Sequence, residues 1–347
     1  MDQNRYDTVS NAVMRSIVTR VSDKNLLDVL SGTLDPVDSA IAASARLKQK
    51  GYLLELLGPS HTSSSGTTTP TGHGKSASAV LKTTHRRRSP GDSLKAPHLQ
   101  RDAEQLVLRT VAGLLSSREV GSYANAPVII EWKMIDRSRE SRLKHRVANV
   151  AAFLAEIDDP AFHSLTCSGH LKEPKSGRYA YLFKPPLIAD RNDGSLISAK
   201  FSMKSLGELF ELQGLRPSLN QRVSIAISLA ETVLQLHTAE WLHKSIRSDN
   251  ILFFNASIED WAASDKLPAA YPGGYEYARA DSPLETSEDP SSSRYLDLHR
   301  HPLSIGSGRV SYNQRFDMYS LGCVLVELAI WAPLETILLR CVKLESS

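Results

Sequence analysis

His243-Lys244-Ser245-Ile246-Arg247-Ser248-Asp249-Asn250-Ile251-Leu252 is the stretch on which the reading of this chain turns. It is bounded by Trp241-Leu242 on one side and by the apolar run Ile251 to Phe254 on the other. Upstream lies a long amphipathic helix. It opens at Ser218-Leu219-Asn220-Gln221, where a serine followed three residues later by glutamine is a capping-box pattern. Val223, Ile227, Ala230, Leu234 and His237 recur at helical spacing and are the expected apolar face. Ser205 to Leu212 reads as a shorter helix before it.

Further upstream the pattern changes to strand. Ala126-Pro127-Val128-Ile129-Ile130-Glu131-Trp132-Lys133 is a short β-branched run ending in a lysine, and Leu143, Val147, Val150, Leu154 and Ile157 follow at helical spacing. Phe162 to Gly169 and Arg178 to Phe183 are two more expected strands, separated by a Lys-Glu-Pro-Lys-Ser-Gly turn. Lys184-Pro185-Pro186 stops the second, because proline cannot donate to a ladder. A small strand-rich region followed by a larger helical one is α+β with two lobes. Residues 59–100 form an expected disordered linker: from Pro59 to Ser78, 16 of 20 residues are Ser, Thr, Pro or Gly. Residues 1–58 have helical spacing at Val13, Ile17 and Val21, at Leu26, Leu27 and Leu30, and at Ala40, Ala43 and Leu47. So few helices make a marginal core, so they are expected to pack on something else.

Composition sets the outer limits. With Lys+Arg 41 against Asp+Glu 38, the net charge of +3 is too weak to define a nucleic-acid or membrane binder. At 41% hydrophobic and 23% charged residues the 347-residue chain reads as a soluble globular protein. Cys167, Cys323 and Cys341 match neither a disulfide framework nor a metal-ligand spacing, which favours a reducing intracellular, cytoplasmic setting. The polar start, MDQNRYDTVS, is no secretory signal, and Leu321 to Leu334 is short for a bilayer span and contains Glu327. Gly74-Lys75-Ser76 lacks the upstream glycine of a phosphate loop, since Thr69 is there. Arg86-Arg87-Arg88-Ser89-Pro90 reads either as a localisation or phosphorylation site or as solvated linker. Asn255-Ala256-Ser257 matches a glycosylation acceptor that a chain without a secretory signal would not use.

The stretch from His243 to Leu252 resembles the protein-kinase catalytic loop, H-R-D-L-x-x-x-N followed by apolar residues, after the same long helix. Val128 to Lys133 resembles the strand that carries the ATP-contacting lysine. Asp317-Met318-Tyr319-Ser320-Leu321-Gly322-Cys323-Val324-Leu325-Val326-Glu327-Leu328 resembles the D-x-W-S-L-G-x-x-L-x-E-L helix beneath the larger kinase lobe. The resemblance implies a kinase-like domain over 105–347, with a β-rich lobe at about 118–186 and a helical lobe at about 200–347. It implies nucleotide contacts from Lys133, with Glu140 or Glu156 as its helix partner, against a solvated lysine at a strand end, and a second-metal amide at Asn250, against a hydrogen bond that only stabilises the loop. Arg247 keeps a positive charge where kinases place a lysine. His243 is expected to bond backbone beneath the loop, and Asp317 to receive the loop's backbone N–H groups.

The departures decide the expected activity. Phosphoryl transfer needs one carboxylate to orient the attacking hydroxyl and another to hold Mg²⁺. The first position is Ser245, which is neutral at pH 7 and cannot act as the base. Asp249 is the only adjacent carboxylate, and its offset points elsewhere. The nearest match to the metal-binding D-F-G triplet is Gly274-Tyr275-Glu276, with glycine where the carboxylate belongs, and Gly113 to Gly121 holds no G-x-G-x-x-G loop. The expectation is a pseudokinase-like domain with impaired or absent transfer and, at most, weak ATP and Mg²⁺ affinity. An active atypical Ser/Thr kinase is the rival.

Ile130-Glu131-Trp132-Lys133, Gly274 to Arg279, and Tyr295-Leu296-Asp297-Leu298-His299-Arg300-His301-Pro302 extend the resemblance to a family of fungal kinase-like proteins. These often carry an N-terminal HeLo-type domain of the prion-inhibition and propagation kind. Val21 to Leu27 resembles the last helices of such a domain. The family implies a signalling or binding role in non-self recognition, with protein partners; a membrane enters only if residues 1–58 act as a HeLo-type effector. Relative to the family the chain reads as shortened at both ends, a truncated gene product that leaves Leu325, Leu328, Ile330, Trp331 and Leu334 partly exposed.

Overall fold

The computed structural model describes residues 14–34, 39–56, 99–109, 118–135, 137–157, 162–189, 196–197, 201–258, 261, 267–281, 288 and 294–345. The expected linker lies outside the described residues except for 99 and 100. So do the Arg86 to Pro90 run, the Gly74-Lys75-Ser76 triplet and most of Gly113 to Gly121.

The chain is a mixed α+β protein built on an antiparallel sheet. It opens with helical residues 14–20 (α1), α2 (Lys24–Leu34) and α3 (Ser39–Leu56). The sheet follows: β1 (Leu106–Arg109), β2 (Arg118–Tyr123), β3 (Ala126–Lys133), then helix α4 (Glu140–Ala155), β4 (Cys167–Lys172) and β5 (Tyr179–Phe183). Its strand order is β1-β2-β3-β5-β4, and every neighbouring pair is antiparallel. β4 begins later than the expected strand at Phe162, because His163 adopts φ 45° and breaks the extended backbone ahead of Cys167.

The alternation along β3 sorts its side chains onto two faces. Val128, Ile130 and Trp132 join Leu171, Ala180 and Leu182 on one. Ile129 points to the other, where Tyr181, Phe183 and the α4 residues Val147, Val150 and Leu154 form the main core. By the same period Glu131 and Lys133 fall on that second face, and both are buried at 3% exposure. Two charged groups thus sit inside the sheet's covered side.

The rest is mainly helical. A two-strand hairpin, β6 (Ile188–Ala189) with β7 (Leu196–Ile197), precedes β8 (Ser202–Ser205), α5 (Leu206–Phe210) and α6 (Leu219–Thr238). Both Ser205 with Glu208 and Ser218 with Gln221 form complete capping boxes, as the serine-to-Gln221 spacing foretells. After β9 (Trp241–Leu242) and β10 (Ile251–Asn255) come β11 (Tyr271–Pro272), β12 (Arg279–Ala280), α7 (Arg294–Asp297), α8 (Gln314–Ile330) and α9 (Leu334–Glu345). β10 lies between β11 and β8, and β12 pairs with β9.

The expected face of α6 is corrected. Val223, Ile227 and Leu234 are exposed at 48%, 53% and 45%, and only His237 of the expected set is buried. The buried stripe is Ile225, Leu229, Val233 and Leu236, which packs toward α8. At the end of α8, Leu325, Ile330, Trp331 and Leu334 are partly exposed as expected, and only Leu328 of that set is buried. Leu328 is 1% exposed, Leu325 and Trp331 pack against the same core, and the Trp331 indole Nε1 donates to Leu215 O at 2.9 Å. Ile330 alone of that group is half exposed, and α9 continues beyond it. No single described helix is long and apolar enough to cross a membrane.

The two stripes of α6 make opposite predictions. Leu229→Ala should cost about 2–5 kcal/mol in urea unfolding, whereas Ile227→Ala should stay within about 0.5 kcal/mol. Equal losses would contradict the packing.

Candidate functional site

Asp317, in the first turn of α8 and 0% exposed, organises the loop that resembles a kinase catalytic loop. Its carboxylate accepts from His243 N at 2.9 Å, Lys244 N at 2.8 Å and the Tyr312 hydroxyl at 2.7 Å, with His237 Nε2 at 3.2 Å. Burial works to raise its pKa, but the bonds and charge from His237 and Tyr312 outweigh it and leave the group below its ordinary value. This is the backbone-receiving role expected of Asp317. His243 is also held as a structural group. Its Nδ1 accepts from Ser245 N at 3.3 Å, its ring lies 4.6 Å from that of Tyr275, and burial lowers its pKa.

With Lys244 at φ 67° the loop reverses here and brings Ser245 toward Glu276. The Ser245 hydroxyl donates to Glu276 Oε1 at 3.2 Å and accepts from Arg247 Nη1 at 2.6 Å. The Asn250 amide donates to Ser245 O at 2.7 Å and to Ser245 Oγ at 3.0 Å. Asp249 does not replace the missing carboxylate. Its side chain is 39% exposed beside Arg247, and its carbonyl accepts from Arg118 Nη1. The carboxylate at Ser245 is therefore Glu276, which spacing alone did not single out.

A second group lies between the sheet and this loop. Arg118 on β2 and Glu131 on β3 are directly paired across the ladder, and Arg118 Nε and Nη2 donate to Glu131 Oε1 at 2.9 and 2.8 Å. Arg118 Nη2 also donates to Asn250 Oδ1 at 3.1 Å. Glu131 further accepts from Gly274 N at 2.8 Å and Tyr275 N at 3.2 Å, so the backbone of residues 274–275 cradles it. Gly274 sits at φ 81°, and a Cβ there would collide with the Asn250 amide, so glycine is required on both counts.

Lys133 is placed otherwise than expected. Neither Glu140 nor Glu156 pairs with it: Glu140 bonds Lys172 and Tyr179 instead. The Lys133 ammonium donates to Glu288 Oε1 at 2.7 Å and to Glu276 O, and α4 contributes Arg146, whose Nη1 reaches the same Glu288 oxygen at 3.1 Å. Burial lowers the Lys133 pKa and Glu288 works against that shift. Where the resemblance implies a helix glutamate, α4 offers a cation, and the anion comes from a segment 155 residues away. Among the described residues no group of three or more His, Cys, Asp or Glu side chains is arranged to hold a metal ion. The residues implied for nucleotide, Lys133 and Asn250, are both bonded to the chain itself.

No family model matches the chain, and no curated protein matches it.

Two predictions follow from the buried charges. Glu131→Gln should cost about 3–5 kcal/mol by stranding Arg118, while the double change Glu131→Leu with Arg118→Met should recover only part of that loss in urea unfolding, because the N–H groups of Gly274 and Tyr275 stay without their acceptor. Burial, with Arg279 and Arg146 adding, lowers Lys244 to about 7, and its ammonium finds no hydrogen-bond partner among the described residues. In the unfolded chain a lysine titrates near ~10.4, so between the two values the unfolded state binds more protons and stability rises with pH. Unfolding midpoints should climb from pH 7 to pH 9 by about 1 kcal/mol per unit, and Lys244→Met should remove most of that climb.

Proposed function

We propose that the chain is a kinase-like, pseudokinase-like module that works by binding and signalling rather than by phosphoryl transfer. The observation that carries this reading is the commitment of Lys133 to Glu288 and the Glu276 carbonyl. A nucleotide phosphate would have to displace both, along with the Arg146 bond to the same carboxylate. Three further features support it. The loop offers Ser245 where transfer needs a carboxylate, Asn250 is bonded to Ser245 and Arg118, and position 274 is a glycine that cannot carry a metal ligand. The loop's framework is nevertheless kept, with Asp317 holding His243 and Lys244. A scaffold retained while its chemistry is lost suits a protein-binding role, and a signalling role in non-self recognition is the one that the fungal resemblance implies.

The rival, an active atypical Ser/Thr kinase, has one specific support. Glu276 Oε1 stands 3.2 Å from the Ser245 hydroxyl and returns a carboxylate to the loop. The effector reading of the N-terminal helices is less favoured, because Val18, Leu27, Ile41 and Ala45 are turned into their own small core instead of outward.

Transfer of labelled phosphate from Mg-ATP to a mixed Ser/Thr peptide library should stay at the level of a no-protein control. Mg-ATP at millimolar concentration should leave the melting temperature unchanged, since only a ligand bound to the folded state raises it. Turnover lost in both Lys133→Ala and Glu276→Gln would overturn the proposal in favour of the active kinase.

A further inference from the structure

α3 is buried almost all round over residues 41–48. Ile41, Ala42 and Ala45 face the small core they share with Val18 and Leu27, while Ala43 and Leu47 enter the main core beside α4, Leu236 and Trp241. A helix with two apolar faces joins two bodies rather than coating one. The polar contacts are equally specific. Ser44, 0% exposed, donates to Gln235 Oε1 on α6. Lys48, 1% exposed, donates to Val18 O at 3.0 Å and Thr19 O at 2.6 Å, and pairs with Glu240 at 2.9 Å.

Glu240 is the position at which this contact reaches the loop. It occupies the turn between α6 and β9 at φ 59°, its carbonyl accepts from Asp281 N, and three residues later comes His243. Trp241 stacks on Phe153 of α4 at 4.0 Å between ring centroids. α4 in turn supplies Arg146 to Glu288, which holds Lys133. A continuous path of buried contacts thus runs from α3 through α4 and Glu240 to both charged groups of the candidate site.

We infer that the α1–α3 segment is a removable strut whose docking on α4 and α6 keeps the Lys133–Glu288–Arg146 group and the His243–Asn250 loop closed. A ligand or partner that takes hold of this segment would open the site, and the coupling does not depend on whether the loop ever carries out chemistry. Glu240 at φ 59° and a buried lysine with three oxygen partners tie the segment to the turn that leads into the loop.

The test uses the full chain with Leu47→Asp, which spoils the apolar seat, and separately Glu240→Lys, which opposes Lys48 from the other side. Amide hydrogen exchange is read over 39–49, 140–155, 241–250 and 314–330, with amine labelling of Lys133 in parallel. In both variants exchange over 39–49, 140–155 and 241–250 should quicken about tenfold or more, Lys133 should become labelled, and 314–330 should keep its native protection. The inference fails if 39–49 loosens while 140–155 and 241–250 hold. It fails equally if 314–330 loosens by the same factor, which marks general destabilisation, or if 39–49 stays protected in both variants. None of these outcomes bears on phosphoryl transfer, which the labelled-ATP assay reads alone.

Discussion

The Glu131 carboxylate is the joint on which the arrangement depends. A carboxylate at 3% exposure is costly unless its oxygens are met by donors, and here four arrive from two places. Arg118 comes from the neighbouring strand, and the N–H groups of Gly274 and Tyr275 come from a segment far along the chain. Arg118 is itself divided between Glu131, Asn250 and the Asp249 carbonyl. The sheet and the loop are therefore fixed to each other by groups that cannot separate without leaving a charge unpaired in a dry interior. The same logic explains why Lys133 turns to Glu288: with Arg146 beside it, a second buried cation, only an imported anion makes the pair tolerable.

Asp317 performs a different task. It accepts from two successive backbone N–H groups of the loop as well as from His237 and Tyr312, so it fixes the loop's conformation. Loop geometry and the attachment of the loop to the sheet consequently rest on separate carboxylates. The loop can keep its shape while the groups around it change.

What could be read in the sequence follows from how local each feature is. The capping box at Ser218 is set by a spacing of three residues and stands in the structure as that spacing implies, whereas the Asp317 role spans more than seventy residues and was legible only through the resemblance. The face of α6 was not legible, because Val223, Ile227 and Leu234 make an apolar stripe as regular as Ile225, Leu229 and Val233. Periodicity cannot choose between two such stripes; only the position of α8 does. The partners of Lys133 and Glu131 lie 155 and 143 residues away, and no local pattern marks them. One signal was present: Glu131 and Lys133 fall on the same side of the strand as Ile129, and charges there demand buried partners. α3 resisted reading for a similar cause, since its small residues suit packing on either side.

The glycine at 274 also limits what can be substituted there. Its left-handed backbone and the Asn250 amide pressed against it exclude any side chain, including the aspartate that a metal site would require. An aspartate at 274 would need at least a change at Asn250 as well, and Asn250 is bonded to Ser245 and Arg118. Each intermediate step would break a satisfied interior, so position 274 is closed to any single substitution that keeps this loop intact.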